Sequence, residues 1–143
     1  MHLPVPAKEF IPHRNSMLLV DTLVSVEEGR GTVETRLPQS CLAAEENGTL
    51  APLTLVELIA QAYAAVKGWE LAKAGLEFNL GYLVGVQKFS YEQPAKIGEL
   101  LTVNVETFGE FDSFAIVEGA VLQGETVLAT GKIKLWVPPK EDA

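Results

Sequence analysis

The residues best suited to proton chemistry are few. Glu57 lies in a long apolar run, with Thr54 three residues before it and Gln61 four after it. On a helix, with Thr54 set at zero, Gln61 falls at roughly −20° and Glu57 at roughly −60°. The small residues Ala65, Gly68 and Ala72 continue this stripe at roughly +20°, −40° and 0°. Such a stripe can be a solvated edge of the helix or a tight seam against a neighbouring element. It can equally be a carboxylate facing a pocket, with small residues leaving room for an elongated ligand. A carboxyl group partly withdrawn from water favours its neutral form, which suits acid or base work near neutral pH. Periodicity alone is compatible with each reading.

Two histidines are present, and His2 belongs to an unanchored terminus. His13 could be structural, bonding a nearby backbone group. Cys41 is the single cysteine, which excludes an internal disulfide framework and a cysteine-based zinc site. Without a neighbouring histidine it reads as a small buried hydrophobe. Asp21 is expected to anchor a hairpin or the segment before it, and Asp112 to shape a turn. No glycine-rich phosphate loop, metal-ligand spacing or serine-centred nucleophile motif occurs.

These residues must be positioned by one long helix and a set of strands. The helix is expected from about Pro52 to Ala74, because proline suits the first helical turn and Gly75 supplies a left-handed stop. It spans roughly 35 Å. Leu53, Leu55, Val56, Leu58, Ile59, Ala60, Ala62 and Val66 make it apolar on almost every side, so it should be buried nearly all round. Strand-like runs are Leu18 to Val26, Gly31 to Leu37, Tyr82 to Tyr91, Leu100 to Phe108, Phe114 to Leu122 and Thr126 to Val137. Short turn-rich breaks between them favour antiparallel pairing. In the last run Val127, Ala129, Ile133, Leu135 and Val137 share one face, and Thr126, Thr130, Lys132 and Lys134 the other. One antiparallel sheet curled round one long helix, completed by a second chain, is an α+β hotdog. Residues 1–143 fit a single such domain.

Composition narrows the partners. Nineteen acidic against eleven basic residues give a net charge of −8, which repels a phosphate backbone over most of the surface and argues against nucleic acid. The acidity leaves room for a local basic patch that docks an acidic carrier protein. No stretch is long and charge-free enough for a membrane span, and the start lacks a signal-peptide pattern. With one cysteine, a reducing, cytoplasmic setting is the simple expectation.

Three segments carry a family resemblance. Ile11-Pro12-His13-Arg14-Asn15-Ser16-Met17-Leu18-Leu19-Val20-Asp21 resembles the opening Pro-His-Arg-x-x-x-Leu-Leu-Val-Asp of the FabA/FabZ-type 3-hydroxyacyl-(acyl carrier protein) dehydratases. Glu57-Leu58-Ile59-Ala60-Gln61 is similar to their central-helix Glu-Ala-Met-Ala-Gln. Tyr82 to Phe89, followed by Ile97-Gly98-Glu99-Leu100, is similar to the strand and Pro-Gly-Asp-Leu turn behind it. The resemblance implies a catalytic pair: a loop histidine removes the α-proton beside the thioester carbonyl, while the helix acid and a bound water help the β-hydroxyl depart. Glu57 matches the acid. The family's histidine position is Ala43, and no histidine lies between Arg36 and Glu57. The helix-start glycine, whose N–H serves the thioester oxygen, is matched by Pro52, which has no N–H.

The run from Leu42 through Pro52 to Gln61 looks closer to the divergent ApeP-like dehydratases of aryl-polyene biosynthesis. There His13 is the replacement base to expect. The resemblance implies catalytic Glu57 and His13, substrate contacts from Thr54, Gln61, Leu53, Val84 and Gly85, and no metal or redox cofactor. The substrate would ride on phosphopantetheine, from an acyl carrier protein or coenzyme A, and the site would lie between two chains of a homodimer, higher assembly or heterodimer. A non-catalytic acyl-binding or partner subunit is the second expectation, and a hotdog thioesterase the third.

Overall fold

The computed structural model describes residues 2–11, 14–41, 44–76, 82–111 and 113–136. It contains β1 (Val5–Pro6), β2 (Thr22–Glu27), β3 (Arg30–Thr35), α1 (Pro52–Lys73), β4 (Tyr82–Tyr91), β5 (Leu101–Phe111), β6 (Phe114–Gln123) and β7 (Thr126–Trp136). The strands form one sheet in the order β1-β2-β3-β5-β6-β7-β4, antiparallel at every pairing. The sheet wraps around α1, as the sequence led us to expect.

Helix and sheet share one core because their apolar periods meet. Leu55, Leu58, Ile59, Ala62 and Val66 of α1 are buried, as are Val33, Val103, Val117, Val121 and Ile133 from alternating sheet positions. Two glycines let helix and sheet approach. A Cβ on Gly119 would lie 2.5 Å from Ile59, and one on Gly31 would lie 2.5 Å from Val66 and 2.6 Å from the Ser25 carbonyl oxygen.

Two local expectations are corrected. Leu18 to Asp21 is not strand: β2 begins at Thr22. At Leu19 both backbone groups are satisfied by side chains instead of a neighbouring strand. The Leu19 N–H donates to Gln61 Oε1 (2.9 Å) and the Leu19 carbonyl accepts from Thr35 Oγ1 (2.6 Å). In β7, Val121 pairs with Ala129 and Leu122 with Val127, so Leu128 is an extra, bulged residue. The bulge turns Leu128 into the core at 2% exposure and leaves Val127 outside at 40%. Val137 and Asp112 lie outside the described residues.

Asp21 anchors the segment before the hairpin, as expected: its carbonyl accepts from Ala7 N (2.9 Å) and its carboxylate from Arg36 N (2.8 Å). Cys41 is half-buried and packs against the core.

Tyr63 is 3% exposed, and its hydroxyl has no hydrogen-bond partner among the described residues. Burial raises its pKa, and the nearby carboxylates Glu110 and Glu70 raise it further. The fold therefore favours the neutral phenol. That preference costs nothing below the ordinary tyrosine pKa near 10; above it the unfolded chain ionises first and stability falls. Tyr63→Phe should be neutral to stabilising by about 1 kcal/mol at neutral pH. It should also flatten the decline of unfolding free energy above about pH 10. Urea titrations of both proteins at neutral and alkaline pH would check both outcomes.

Candidate active site

The site is built by α1 and the segment that crosses it. α1 starts after Ala51 with Pro52 in its first turn, no side-chain cap and no acidic residue there. The loop before it is held by the loop after β4. Leu50 N donates to Ala95 O (2.9 Å), Ile97 N to Gly48 O (2.9 Å) and Gly98 N to Leu37 O (3.0 Å). The helix start is thereby fixed in place, but Pro52 offers no N–H to an anion.

One turn further along, Glu57 is half-buried. Gln61 Nε2 donates to Glu57 Oε1 (3.1 Å) and to the Met17 carbonyl (2.7 Å), while Gln61 Oε1 accepts from Leu19 N. Gln61 is 1% exposed. One amide thus ties the carboxylate, the helix and the 17–19 segment together. In isolation the residue is a buried polar group on an apolar helix; its three bonds explain why it is tolerated.

The stripe itself proves to be neither a solvated edge nor an open channel. Thr54, Gln61, Ala65 and Gly68 are all buried, and only Ala72 is exposed. The N-terminal segment covers them. A Cβ on Gly68 would meet the Phe10 carbonyl oxygen at 2.6 Å, and the Phe10 ring packs edge-on to Trp69 with centroids 6.1 Å apart. The room expected beside Ala65 and Gly68 is therefore filled by the chain's own backbone. Gly68→Val should destabilise by about 2 kcal/mol or more, because the obstruction is backbone rather than a flexible side chain; chemical denaturation measures it.

The open side of α1 runs about 100° away from Thr54, through Leu53, Ala60, Ala64, Lys67 and Leu71. Leu53 is 78% exposed and the others are half-buried. Glu57 stands on the border between this open strip and the covered one. Met17, exposed at 63%, lies in the segment bound to Gln61. Periodicity could not reveal this strip, since apart from Lys67 its residues are as apolar as the core-facing ones.

The remaining expected site residues are dispersed. Gly85 lies in β4 opposite Lys134 of β7, in a row facing away from the helix, and Val84 is the extra residue of a bulge between Leu83 and Gly85. His13 lies outside the described residues. Its neighbours on either side are linked, however: Arg14 Nη1 donates to the Ile11 carbonyl at 2.6 Å, and Ile11 is buried. A depression of about 470 Å³, lined by Thr32, Asn104, Glu106, Glu118, Ala120 and Thr130 among others, lies on the outer face of the sheet. None of its lining residues belongs to α1. Glu57 is tied to Gln61 on α1, away from this depression.

One long helix enfolded by an antiparallel sheet, with a carboxylate and a glutamine one turn apart on the helix, defines a hotdog protein of the FabA/FabZ dehydratase type. The comparisons narrow this. The family model "ApeP-like: ApeP dehydratase" matches residues 5–143, and the chain belongs to that family. A FabZ 3-hydroxyacyl-(acyl-carrier-protein) dehydratase of Bacillus subtilis is 30% identical over 140 residues, covering 87% of this chain and 95% of the relative. Its counterpart from Caldicellulosiruptor bescii is 27% identical over 133 residues, covering 85% and 93%. Among solved structures, the dehydratase heterocomplex ApeI:P from Xenorhabdus doucetiae superposes with a TM-score of 0.87 at 21% identity, covering 95% of this chain and 93% of that one. Among the described residues no helix is long and apolar enough to cross a membrane.

Proposed function

We propose that this protein eliminates water from 3-hydroxyacyl thioesters carried on phosphopantetheine, with Glu57 and His13 as the reacting pair. The observation that carries this reading is the Gln61 amide. It fixes the Glu57 carboxylate and holds the Met17–Leu19 backbone, which continues the segment bearing His13. His13 takes the α-proton while the bond from Cβ to the hydroxyl breaks. Glu57 supplies the proton with which that hydroxyl leaves as water, and the α,β double bond forms. Gln61 is a positioning residue, with Thr54 and Leu53 contributing to the substrate wall. No metal or redox group is required by this step.

A second hotdog chain completes the site in this proposal. The open strip beside Glu57 is apolar except for Lys67, which pairs with Glu110, and β4 is an edge strand whose inward-facing Val86 and Tyr91 are 47% and 40% exposed. A homodimer, or a heterodimer with a related dehydratase, would cover both and lay Val84 near the shared pocket. A cytoplasmic location fits such a carrier-dependent reaction.

One observation favours the non-catalytic reading: Pro52 occupies the helix start, where an N–H would serve the thioester oxygen. The partner in the solved ApeI:P heterocomplex makes a supporting subunit a concrete alternative. Incubation with 3-hydroxyacyl and 2-enoyl pantetheine thioesters, alkyl and aryl, followed by mass spectrometry, separates the readings. Loss or gain of one water supports the dehydratase. Binding without any mass change favours the partner subunit, and release of free thiol favours a thioesterase.

A further inference from the structure

The outer face of the sheet carries an ordered line of charges. In register across the strands stand Glu27 of β2, Arg30 of β3, Glu106 of β5, Glu118 of β6, Lys132 of β7 and Lys88 of β4. Arg30 is used by Glu27, at 3.2 Å. The remaining four form two like-charge neighbours, Glu106 opposite Glu118 and Lys132 opposite Lys88. Like charges directly opposite one another destabilise a sheet.

Within the chain Arg30 stands opposite Glu106 and Lys132 opposite Glu118, yet no ion pair closes there among the described residues. Among the described residues neither Glu106 nor Glu118 makes an ion pair, and the Lys132 ammonium lies 4.5 Å from the Phe108 ring centroid instead of on Glu118. Beside the line, on one side, the row Asn104, Ala120, Thr130 and Ser90 is small, so another surface can come close. On the other side stand Phe108 and Phe111, 63% and 66% exposed.

We propose that this face docks against the same face of a second copy of the chain, about a two-fold axis running between β6 and β7. The pattern is self-complementary about that axis. With strands about 4.8 Å apart, Glu118 and Lys132 lie equally far from it on opposite sides, as do Glu106 and Lys88 further out. Rotation sets Glu118 of one copy over Lys132 of the other and Glu106 over Lys88, each twice. Four intermolecular ion pairs then replace two repulsive neighbours per chain, and the exposed phenylalanines are covered at the rim. Two sheets packed face to face in near alignment have this geometry. The occupant is a second copy because both signs are present in matched positions; a nucleic acid or an anionic lipid surface would meet Glu106 and Glu118.

The test uses two charge-reversed proteins. Glu106→Lys/Glu118→Lys makes positions 106, 118, 132 and 88 all basic, and Lys88→Glu/Lys132→Glu makes the same four all acidic. Sedimentation at low salt should give each variant half the native mass of the wild type, and the 1:1 mixture should regain the wild-type mass. Thermal unfolding confirms that both are folded, and Glu106→Gln/Glu118→Gln supplies a milder version with an intermediate shift. The wild-type mass should also fall in 1 M salt, where the screening length is about 3 Å. The halving of Glu106→Lys/Glu118→Lys is independent of any association through β4, because neither substitution lies in that strand. Equal masses for wild type, variants and mixture would overturn the proposal.

Discussion

Glu57→Gln is expected to leave a folded protein that dehydrates 3-hydroxyacyl thioesters about 100- to 10,000-fold more slowly, the usual contribution of a positioned acid or base. The substitution is nearly isosteric, and an amide oxygen at position 57 can still accept from Gln61 Nε2, so stability should shift by less than about 1 kcal/mol. What is lost is the proton that the departing hydroxyl requires. Single-turnover mass spectrometry on a purified sample gives the rate, and circular dichroism reports the fold. Undiminished turnover would remove Glu57 from the mechanism. Turnover absent from the wild type as well, with an acyl ligand still bound, would instead favour the partner-subunit reading.

Gln61→Leu should act on both stability and rate. Leucine fills the volume but makes none of the three hydrogen bonds. Leu19 N then loses its acceptor in a buried setting, and leaving such a donor unpaired costs about 1–3 kcal/mol. The Met17 carbonyl, in a more exposed residue, can turn to water and adds less. Glu57 loses the hydrogen bond that Gln61 Nε2 donates to it. A purely structural residue would lower stability alone; a positioning residue should also lower turnover among the molecules still folded, measured well below the unfolding transition. Amide hydrogen exchange at Leu19 should quicken sharply. Unaltered exchange there, with unaltered turnover, would contradict this role.

Much of the fold could be read from the chain because its physical signals agree. Pro52 and Gly75 mark the helix, and α1 runs from Pro52 to Lys73. The apolar and polar alternation in 126–136 marks a strand wetted on one face, and the interval Tyr82–Tyr91 was anticipated to the residue. The discrepancies come from interactions that sequence spacing does not encode. Leu18 to Asp21 is apolar enough for a strand, yet both backbone groups of Leu19 are bonded by the side chains of Gln61 and Thr35. Leu128 is turned inward by a bulge, a property of the pairing with β6 and not of β7 alone. At the site, Glu57 and Gln61 were legible as a pair on one stripe. That Phe10 would close the same stripe at Gly68 was not, because the contact joins residues far apart in sequence. The family comparisons agree with the dehydratase resemblance, while the roles of individual side chains rest on the experiments above.

The strand order has a consequence for how the protein is made. β4 follows the helix, yet its neighbour in the sheet is β7, the last strand described. During synthesis β4 emerges before β7, its one partner among the described strands. Until residues 126–136 have left the ribosome, β4 has both edges bare, a template for unwanted pairing with other chains. Long-range closure of this kind slows folding and lengthens that exposure. A bulge at Val84, another at Gln87, and the charge of Lys88 next to it interrupt the regular edge that aggregation would need. The irregularity of β4 thus protects the nascent chain during the interval in which its proper neighbour does not yet exist.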